Sequence, residues 1–457
     1  MRYASTRGGA PSIDFLDAVL AGLAPDGGLY VPDAYPVLDR EGLAVEPYAN
    51  VAASALGALS KNAVDSRSLA EEAYRRAAWP ASVTPLTQVG PGQFVLELFH
   101  GPSLAFKDVA MQLIGPLYER VLAERNERLT VVCATSGDTG GAAVEALKNR
   151  ERVDLFVLLP KGRVSDVQRR FMTASGAANV HAIEFDDDFD ACQAILKSLF
   201  ADRDFTARAH LSAVNSVNWA RIVAQSVYFH VAANILAASG PVNFSIPTGN
   251  FGDAFSAYVA KRMGAPIAKL LIATNANDIV ARAITTGRYE RAPKSHATLS
   301  PAMDIQVASN FERLMYEALG GDAEHVRRLY EQFAQSGAFD VPKPAQDFLH
   351  THFEALSLDD AGTQAEMRAW REAGYLACPH SAIAMSGLAR LKGEMSVALA
   401  TAHPAKFPET VQQTLGVRPE LPAHCADLFT RKEKIASLPA DVEAVKTFIR
   451  ERTRAWN

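Results

Sequence analysis

The chain has 457 residues, 48% hydrophobic and 21% charged, a globular composition with length for about two or three domains. Its 46 basic and 51 acidic residues leave a net charge of -5, which excludes the basic excess that a nucleic-acid partner requires. The four cysteines, Cys133, Cys192, Cys378 and Cys425, stand at no metal-ligand or redox spacing, so neither a metal site nor a disulfide framework is expected.

In chain order, a helical pattern at 13–23 runs into the turn Pro25-Asp26-Gly27-Gly28. Asp14 and Asp17 interrupt what a signal sequence would keep apolar, and no stretch approaches about 18 uninterrupted apolar residues. The expectation is a cytoplasmic protein with no membrane partner. Ala-rich helical periodicity follows over 51–78. From residue 94, short apolar runs at 94–98, 129–135, 154–160, 179–185, 210–214, 242–248 and 268–274 predict strands. Helical patterns at 104–125, 139–149, 165–175, 188–201, 219–238 and 252–263 follow most of them. Near-continuous apolar strands alternating with helices predict parallel strands covered on both faces, a doubly wound α/β core. The acidic run EFDDDFD (184–190) lacks the Gly and terminal Glu of a calcium loop and reads as a strand end followed by a helix cap. From 276 to 390 the sequence turns polar and helix-rich. One apolar run, MSVALATAH (395–403), then returns to the sheet, and the charged tail reads as a helix docked on the surface.

In open parallel sheets ligands bind at the carboxyl ends of strands, and three strand-to-helix loops here carry unusual chemistry. In HGPSLAFKD (100–108), Lys107 falls in the first turn of a helix beside Leu104, Ala105 and Phe106. A cation there opposes the helix dipole, and apolar neighbours favour the neutral amine that a Schiff-base or general-base lysine needs. A solvated surface lysine is the plain alternative. ATSGDTGGAA (134–143) sets hydroxyls and three glycines at a helix N-terminus. It is either an anion cradle or a tight turn capped by Ser136, Asp138 or Thr139, and it matches neither GxxxxGK[ST] nor GxGxxG. IPTGNFGDAF (246–255) would wrap successive amides of 248–252 around one dianion, with a plain glycine turn as the alternative. One apolar-flanked lysine with two anion-binding loops is what a pyridoxal phosphate enzyme acting on an anionic substrate requires.

The motifs extend further. GLAPDGGLYVP (22–32), HGPSLAFKD, TSGDTGGAA, PKGRVSDVQ (160–168), NSVNWARI (215–222), PTGNFGDAF, SPAMDIQVASNFERL (300–314) and ATAHPAKF (400–407) cover nearly the whole chain in order. Together they resemble the threonine synthase family of fold-type II (tryptophan-synthase β-like) pyridoxal phosphate enzymes, in its longer bacterial and fungal branch. The resemblance implies doubly wound parallel sheets with a smaller domain, an N-terminal segment and a helix-rich insertion. The expected parts are an N-terminal segment at 1–90 and a cofactor-binding core at 91–275 and 390–410, with a smaller mobile subdomain at about 130–215 inside it. The insertion then covers 276–390 and a helical tail 411–457.

The resemblance also implies roles. Lys107 would hold pyridoxal 5'-phosphate as an internal aldimine and shuttle protons. Gly249, Asn250, Phe251 and Gly252 would bind the cofactor phosphate, with Asp253 at the following helix start. Thr401 would lie against the pyridine nitrogen, where a neutral hydroxyl does not force protonation. Ser136, Gly137, Asp138 and Thr139 would meet the amino-acid end of the substrate, and Ser216, Asn218 and Arg221 its phosphate, with Lys161 and Arg163 as weaker candidates. The implied reaction turns O-phospho-L-homoserine and water into L-threonine and phosphate by γ-elimination and β-addition of water, without metal, in a monomer or homodimer. Two positions depart from the family: Ser103 stands where Thr is more frequent, and Cys378 where an Asp is expected before Pro379-His380. Two rivals remain open. One is a threonine synthase-like phospholyase releasing 2-oxobutanoate; the other, from a different class, is a non-catalytic α/β protein binding a phosphate ligand in the same glycine loops.

Overall fold

All eight residues of Val153–Pro160 are buried, as expected of a strand covered by helices on both faces. In the computed structural model, which describes every residue except 44–45, 76–78, 80–81, 136, 392–394 and 457 and the side chain of Asp190, this strand lies inside the smaller of two parallel sheets. Near the N-terminus β1 (Tyr3–Ser5) pairs antiparallel with β2 (Tyr30–Pro32). An antiparallel hairpin of β3 (Leu86–Gly90) and β4 (Gln93–Glu97) follows. Next come β5 (Leu129–Ala134), β6 (Val153–Pro160), β7 (Val180–Phe185), β8 (Leu211–Ser212), β9 (Val242–Pro247) and β10 (Ile267–Thr274). β11 (Arg288–Glu290) pairs with β12 (Ala338–Asp340), and β13 (Phe353–Ser357), β14 (Ser396–Ala400) and β15 (Ile435–Ser437) complete the chain.

The larger sheet has the order β13-β10-β9-β14-β4-β3 and the smaller β15-β7-β6-β5-β8. Every pairing within them is parallel except β3 with β4. The chain leaves the larger sheet after β4, builds β5 to β8, and returns at β9. Because β4, β14 and β9 are adjacent and parallel, their carboxyl ends emerge side by side. That order delivers the loop before Lys107, Thr401 and the 248–252 loop to one edge, where ligands of open α/β sheets bind.

Four elements differ from the sequence reading. β3 escapes an apolar-run search because none of its five residues is buried. β13 lies inside the helix-rich 276–390 stretch and closes the edge of the larger sheet; its alternating burial makes no continuous apolar run. β15 adds a strand from the helical tail to the smaller sheet. The 51–78 periodicity is two helices, Tyr48–Ser60 and Ser66–Ala73, broken where Lys61 and Asn62 adopt φ of 52° and 57°.

The helix Trp219–Leu236 is buried along most of its length. The segment Trp219–Ser239 is long and apolar enough to cross a membrane, but 67% of its apolar window is buried inside this fold. It packs on the helices Tyr48–Ser60, Lys107–Arg125 and Gly252–Arg262, so its all-round apolarity is that of a core helix. The Lys107–Arg125 helix meets the Asp138–Leu147 helix at Gly115, where an added Cβ would come within 2.5 Å of the Ala146 carbonyl. The starts of the same two helices also meet, with Lys107 Nζ 3.6 Å from Asp138 Oδ2. All four cysteines are buried, unpaired thiols.

Candidate active site

The loop ahead of Lys107 is folded around a buried carboxylate. Asp108 accepts from the Ser103 backbone N–H at 2.8 Å and from the Ser103 hydroxyl at 2.7 Å. That hydroxyl is the part of Ser103 that a threonine would share, so the expected departure at this position keeps the bond. The turn holds buried Leu104 at φ 64°, a left-handed conformation that costs a leucine about 1–2 kcal/mol. Pairing with the segment after β14 fixes the turn: Phe106 N–H donates to the Thr401 carbonyl at 2.8 Å and His403 N–H to the Leu104 carbonyl at 3.0 Å. Lys107 therefore starts its helix beside Thr401, which is itself buried.

The Lys107 side chain is 12% exposed and its Nζ sits 4.5 Å from the centre of the Phe106 ring. Burial pushes its pKa down to about 8; Asp138 opposes that fall, while Arg221 and Lys406 reinforce it. Asp138 Oδ2 stands 3.6 Å from Lys107 Nζ, and Asp138 Oδ1 takes Lys406 Nζ at 2.8 Å and Gln168 Nε2 at 3.0 Å. Burial alone would raise the Asp138 pKa, but Lys406, Lys107 and His380 hold it well below the usual carboxylate range. At the turn before Asp138 the hydroxyl of Thr135, which is not among the expected caps, accepts from the N–H groups of Gly137 and Gly140. Gly137 has φ 135°, and a Cβ there would strike the Gln168 carboxamide at 2.5 Å. Gly137 and Asp138 are buried and Thr139 partly exposed, while Ser136 lies outside the described residues.

The loop after β9 turns at Phe251, which is buried and adopts φ 62° as the cap of the Gly252–Arg262 helix. Gly249 and Gly252 are closely packed: added Cβ atoms would lie 3.1 Å from the Ala302 carbonyl and 3.2 Å from Asn310 Nδ2. Asn310 braces the turn, its N–H donating to the Asn250 carbonyl at 3.0 Å and its side chain donating to the same oxygen and to the Ser216 carbonyl. Among the described residues no acceptor takes the N–H of Gly249, Asn250 or Phe251. Such amides at a helix N-terminus form a concave anion site.

Among the described residues, the buried polar atoms that lack hydrogen-bond partners include Arg221 Nε and, at the start of the Gly252–Arg262 helix, Asp253 Oδ2. Burial lowers Arg221 to about 10 and raises Asp253 to about 7, where Lys107 and Arg221 pull it back. Tyr228 donates its hydroxyl to Asp253 Oδ1. Ser216 is half-buried against Gly252. Asn218 is the expected substrate contact that the structure gives another task. It is fully buried, caps the Trp219 helix by accepting from Ala220 N–H, and donates to the Val19 carbonyl and the Tyr118 hydroxyl. No polar capacity of its carboxamide faces a ligand. Lys161 and Arg163 are exposed.

Cys378 sits at the start of the Pro379–Ser386 helix without capping it, its sulfur 3.2 Å from the Ser381 hydroxyl and packed with Ala402 and Phe407. His380 is buried and held neutral, its pKa pushed down to about 4 by burial; Nε2 accepts from Ala302 N–H and Nδ1 has no partner. Lys406 and Gln168 lie in the motifs at 400–407 and 160–168, and neither carries an expected role. The available signal was a lysine inside an apolar motif, AHPAKF, on the segment that follows a buried strand.

A desolvated lysine amine, an acceptor-free amide nest and a buried hydroxyl at neighbouring strand ends suit the aldehyde, phosphate and ring nitrogen of pyridoxal phosphate. Fold and site thus define a fold-type II pyridoxal phosphate-dependent enzyme, and the family model for pyridoxal-phosphate dependent enzymes matches residues 82–339. Models for the threonine synthase N terminus and C-terminal region match 2–74 and 381–449. The chain is 44% identical to the threonine synthase of Pseudomonas aeruginosa, over 98% of both chains. It superposes on a pyridoxal phosphate-bound threonine synthase from Brucella melitensis with TM-score 0.95 at 47% identity, covering 100% of both chains. Against threonine synthase from yeast the TM-score is 0.92 at 36% identity, covering 99% and 98%. The chain belongs to the threonine synthase family, a family of lyases whose cofactor is pyridoxal phosphate.

Proposed function

We propose that this protein converts O-phospho-L-homoserine and water into L-threonine and phosphate, in the cytoplasm, as a monomer or homodimer without nucleic-acid or membrane partners. The observation that carries the reading is a desolvated lysine after β4 and an acceptor-free amide nest after β9, on the same sheet edge and flanking β14, in a chain of this family. Lys107 would hold the cofactor's aldehyde carbon, residues 249–252 its phosphate and Thr401 its ring nitrogen. When bound, the cofactor supplies an electron sink for charge developing on the substrate carbons.

The chain's own groups divide the remaining work. Lys107 Nζ, with a pKa of about 8, takes the proton from the substrate's Cα and later returns protons. Asp138, held ionised at neutral pH by its neighbouring cations, stabilises the ammonium each time Lys107 carries a proton. The 136–139 loop meets the substrate carboxylate, and Arg221 with Ser216 meets the phosphate as it leaves Cγ; water then adds at Cβ. The smaller sheet closes over the cleft to hold water out until that addition. Small-angle scattering with and without a substrate analogue should give different profiles, and identical profiles would count against closure.

Product identification tests the whole reading. Purified protein loaded with pyridoxal phosphate and given O-phospho-L-homoserine should yield threonine and phosphate in equal amounts. Phosphate accompanied by 2-oxobutanoate would reassign the chain to the phospholyase, and no turnover would remove the catalytic reading.

A further inference from the structure

Two segments without a role in the chemistry above, PKGRVSDVQ and the HPAKF that follows Thr401 and Ala402, are both brought onto Asp138 by the fold. Lys406 is 1% exposed, and its ammonium has two oxygen partners, Asp138 Oδ1 and the Ser103 carbonyl, each at 2.8 Å. Gln168, 3% exposed, donates to the same Asp138 oxygen while closing a capping box with Ser165. The Ser165 hydroxyl in turn donates to the Lys406 carbonyl at 2.8 Å, so the two stretches lock onto each other. An ammonium buried this completely is costly unless it is paired. Its pairing uses the oxygen of Asp138 that faces away from Lys107 and leaves the other at the looser 3.6 Å.

We propose that Lys406 is a positioning residue, which by binding one oxygen of Asp138 and repelling the neighbouring ammonium keeps Lys107 available as a free amine for the cofactor. The proposal rests on Lys107 being the cofactor lysine. The charged and titratable groups facing Lys107 come from five elements: Asp138, Arg221, Lys406, Asp253 and the neutral His380. Among them Lys406 acts twice. It is a cation near Lys107, and it diverts the charge of Asp138 away from Lys107. Removing it strengthens the Asp138–Lys107 pair and deletes a repulsion, and both changes favour the ammonium.

The test measures covalent capture of pyridoxal phosphate by the apoprotein across a pH series. In that step the amine nitrogen joins the aldehyde carbon and the aldehyde oxygen leaves as water. Borohydride reduction and peptide mass spectrometry then locate and count the label on Lys107. In the wild type the capture rate should rise with pH to a midpoint near about 8. In Lys406→Met and in Lys406→Gln, which keeps a donor without charge, the midpoint should move up by about one pH unit, slowing capture about tenfold at neutral pH. Lys406→Arg should restore it, and Gln168→Leu, which loosens the contact without removing charge, should shift it less. Unchanged midpoints in both uncharged variants would overturn the proposal, as would an equal shift in Lys406→Arg. Should Lys406→Met not fold, Lys406→Gln and Lys406→Arg decide the matter. Label elsewhere in the wild type, or undiminished labelling in Lys107→Ala, would instead overturn the assignment of Lys107.

Discussion

The loop ahead of Lys107 and the loop ahead of Asp138 bring their functional side chains within 3.6 Å of each other, but they are held by different means. The first is tied to the larger sheet by backbone bonds from Phe106 to Thr401 and from His403 to Leu104, and by the Asp108 carboxylate beneath it. The second belongs to the smaller sheet. Near the site it reaches the larger sheet's side through charges and polar side chains: Asp138 to Lys406 and Lys107, and Ser165 to the Lys406 carbonyl. Backbone pairing and left-handed Leu104 make one side a rigid seat for the cofactor, whereas a few charge-assisted bonds can separate and reform as the other side moves.

The largest effect should come from the rigid side. Lys107→Ala should lower turnover by at least about 10³-fold and abolish covalent cofactor capture, with little change in thermal unfolding of the apoprotein. A substantial residual rate would break the assignment of the two sides. Next is the polar side. Asp138→Asn leaves the buried Lys406 ammonium uncompensated and should destabilise the apoprotein by about 3 kcal/mol at neutral pH, measured by denaturant unfolding. Asp138 ionises more readily in the folded chain than in the unfolded one. Its contribution is therefore complete above about pH 4 and drains away as acid is added below that, so the gap between wild type and Asp138→Asn should narrow only there.

Smaller effects sharpen the account of the rigid side. At Leu104 a glycine loses the same buried side chain as an alanine but accepts φ 64° without strain. Leu104→Ala should cost about 2–5 kcal/mol and Leu104→Gly about 1 kcal/mol less, the reverse of their usual order in a regular element. Smallest is Ser103→Ala, which removes one bond to a buried carboxylate and should cost about 1–2 kcal/mol, while Ser103→Thr should be close to neutral.

The sequence was most informative where structure is local. The apolar runs located the strands that line the site, because a strand buried on both faces has to be continuously apolar, as Val153–Pro160 is. Strands with alternating or partial burial, β3, β13 and β15, left no such trace. The three loops were visible as motifs, since a turn at a helix start restricts residue type over a few positions. Asn218 shows where a motif stops being informative: an asparagine before a helix suits an N-cap and a ligand contact equally, and its bonds to Ala220, Val19 and Tyr118, which show the cap, are visible only in the fold.

By itself, then, the amino-acid order determined the α/β class, the three loops and the lysine that opens its helix, since all depend on side-chain character within a few residues. The tertiary structure decided that β4, β14 and β9 lie side by side, and that Lys406 reaches the Ser103 carbonyl from 303 residues away. It also decided which buried groups remain unpaired around the site. The protonation state of Lys107 depends on charges carried by four other elements, and no periodicity along the chain records which of them fold against it.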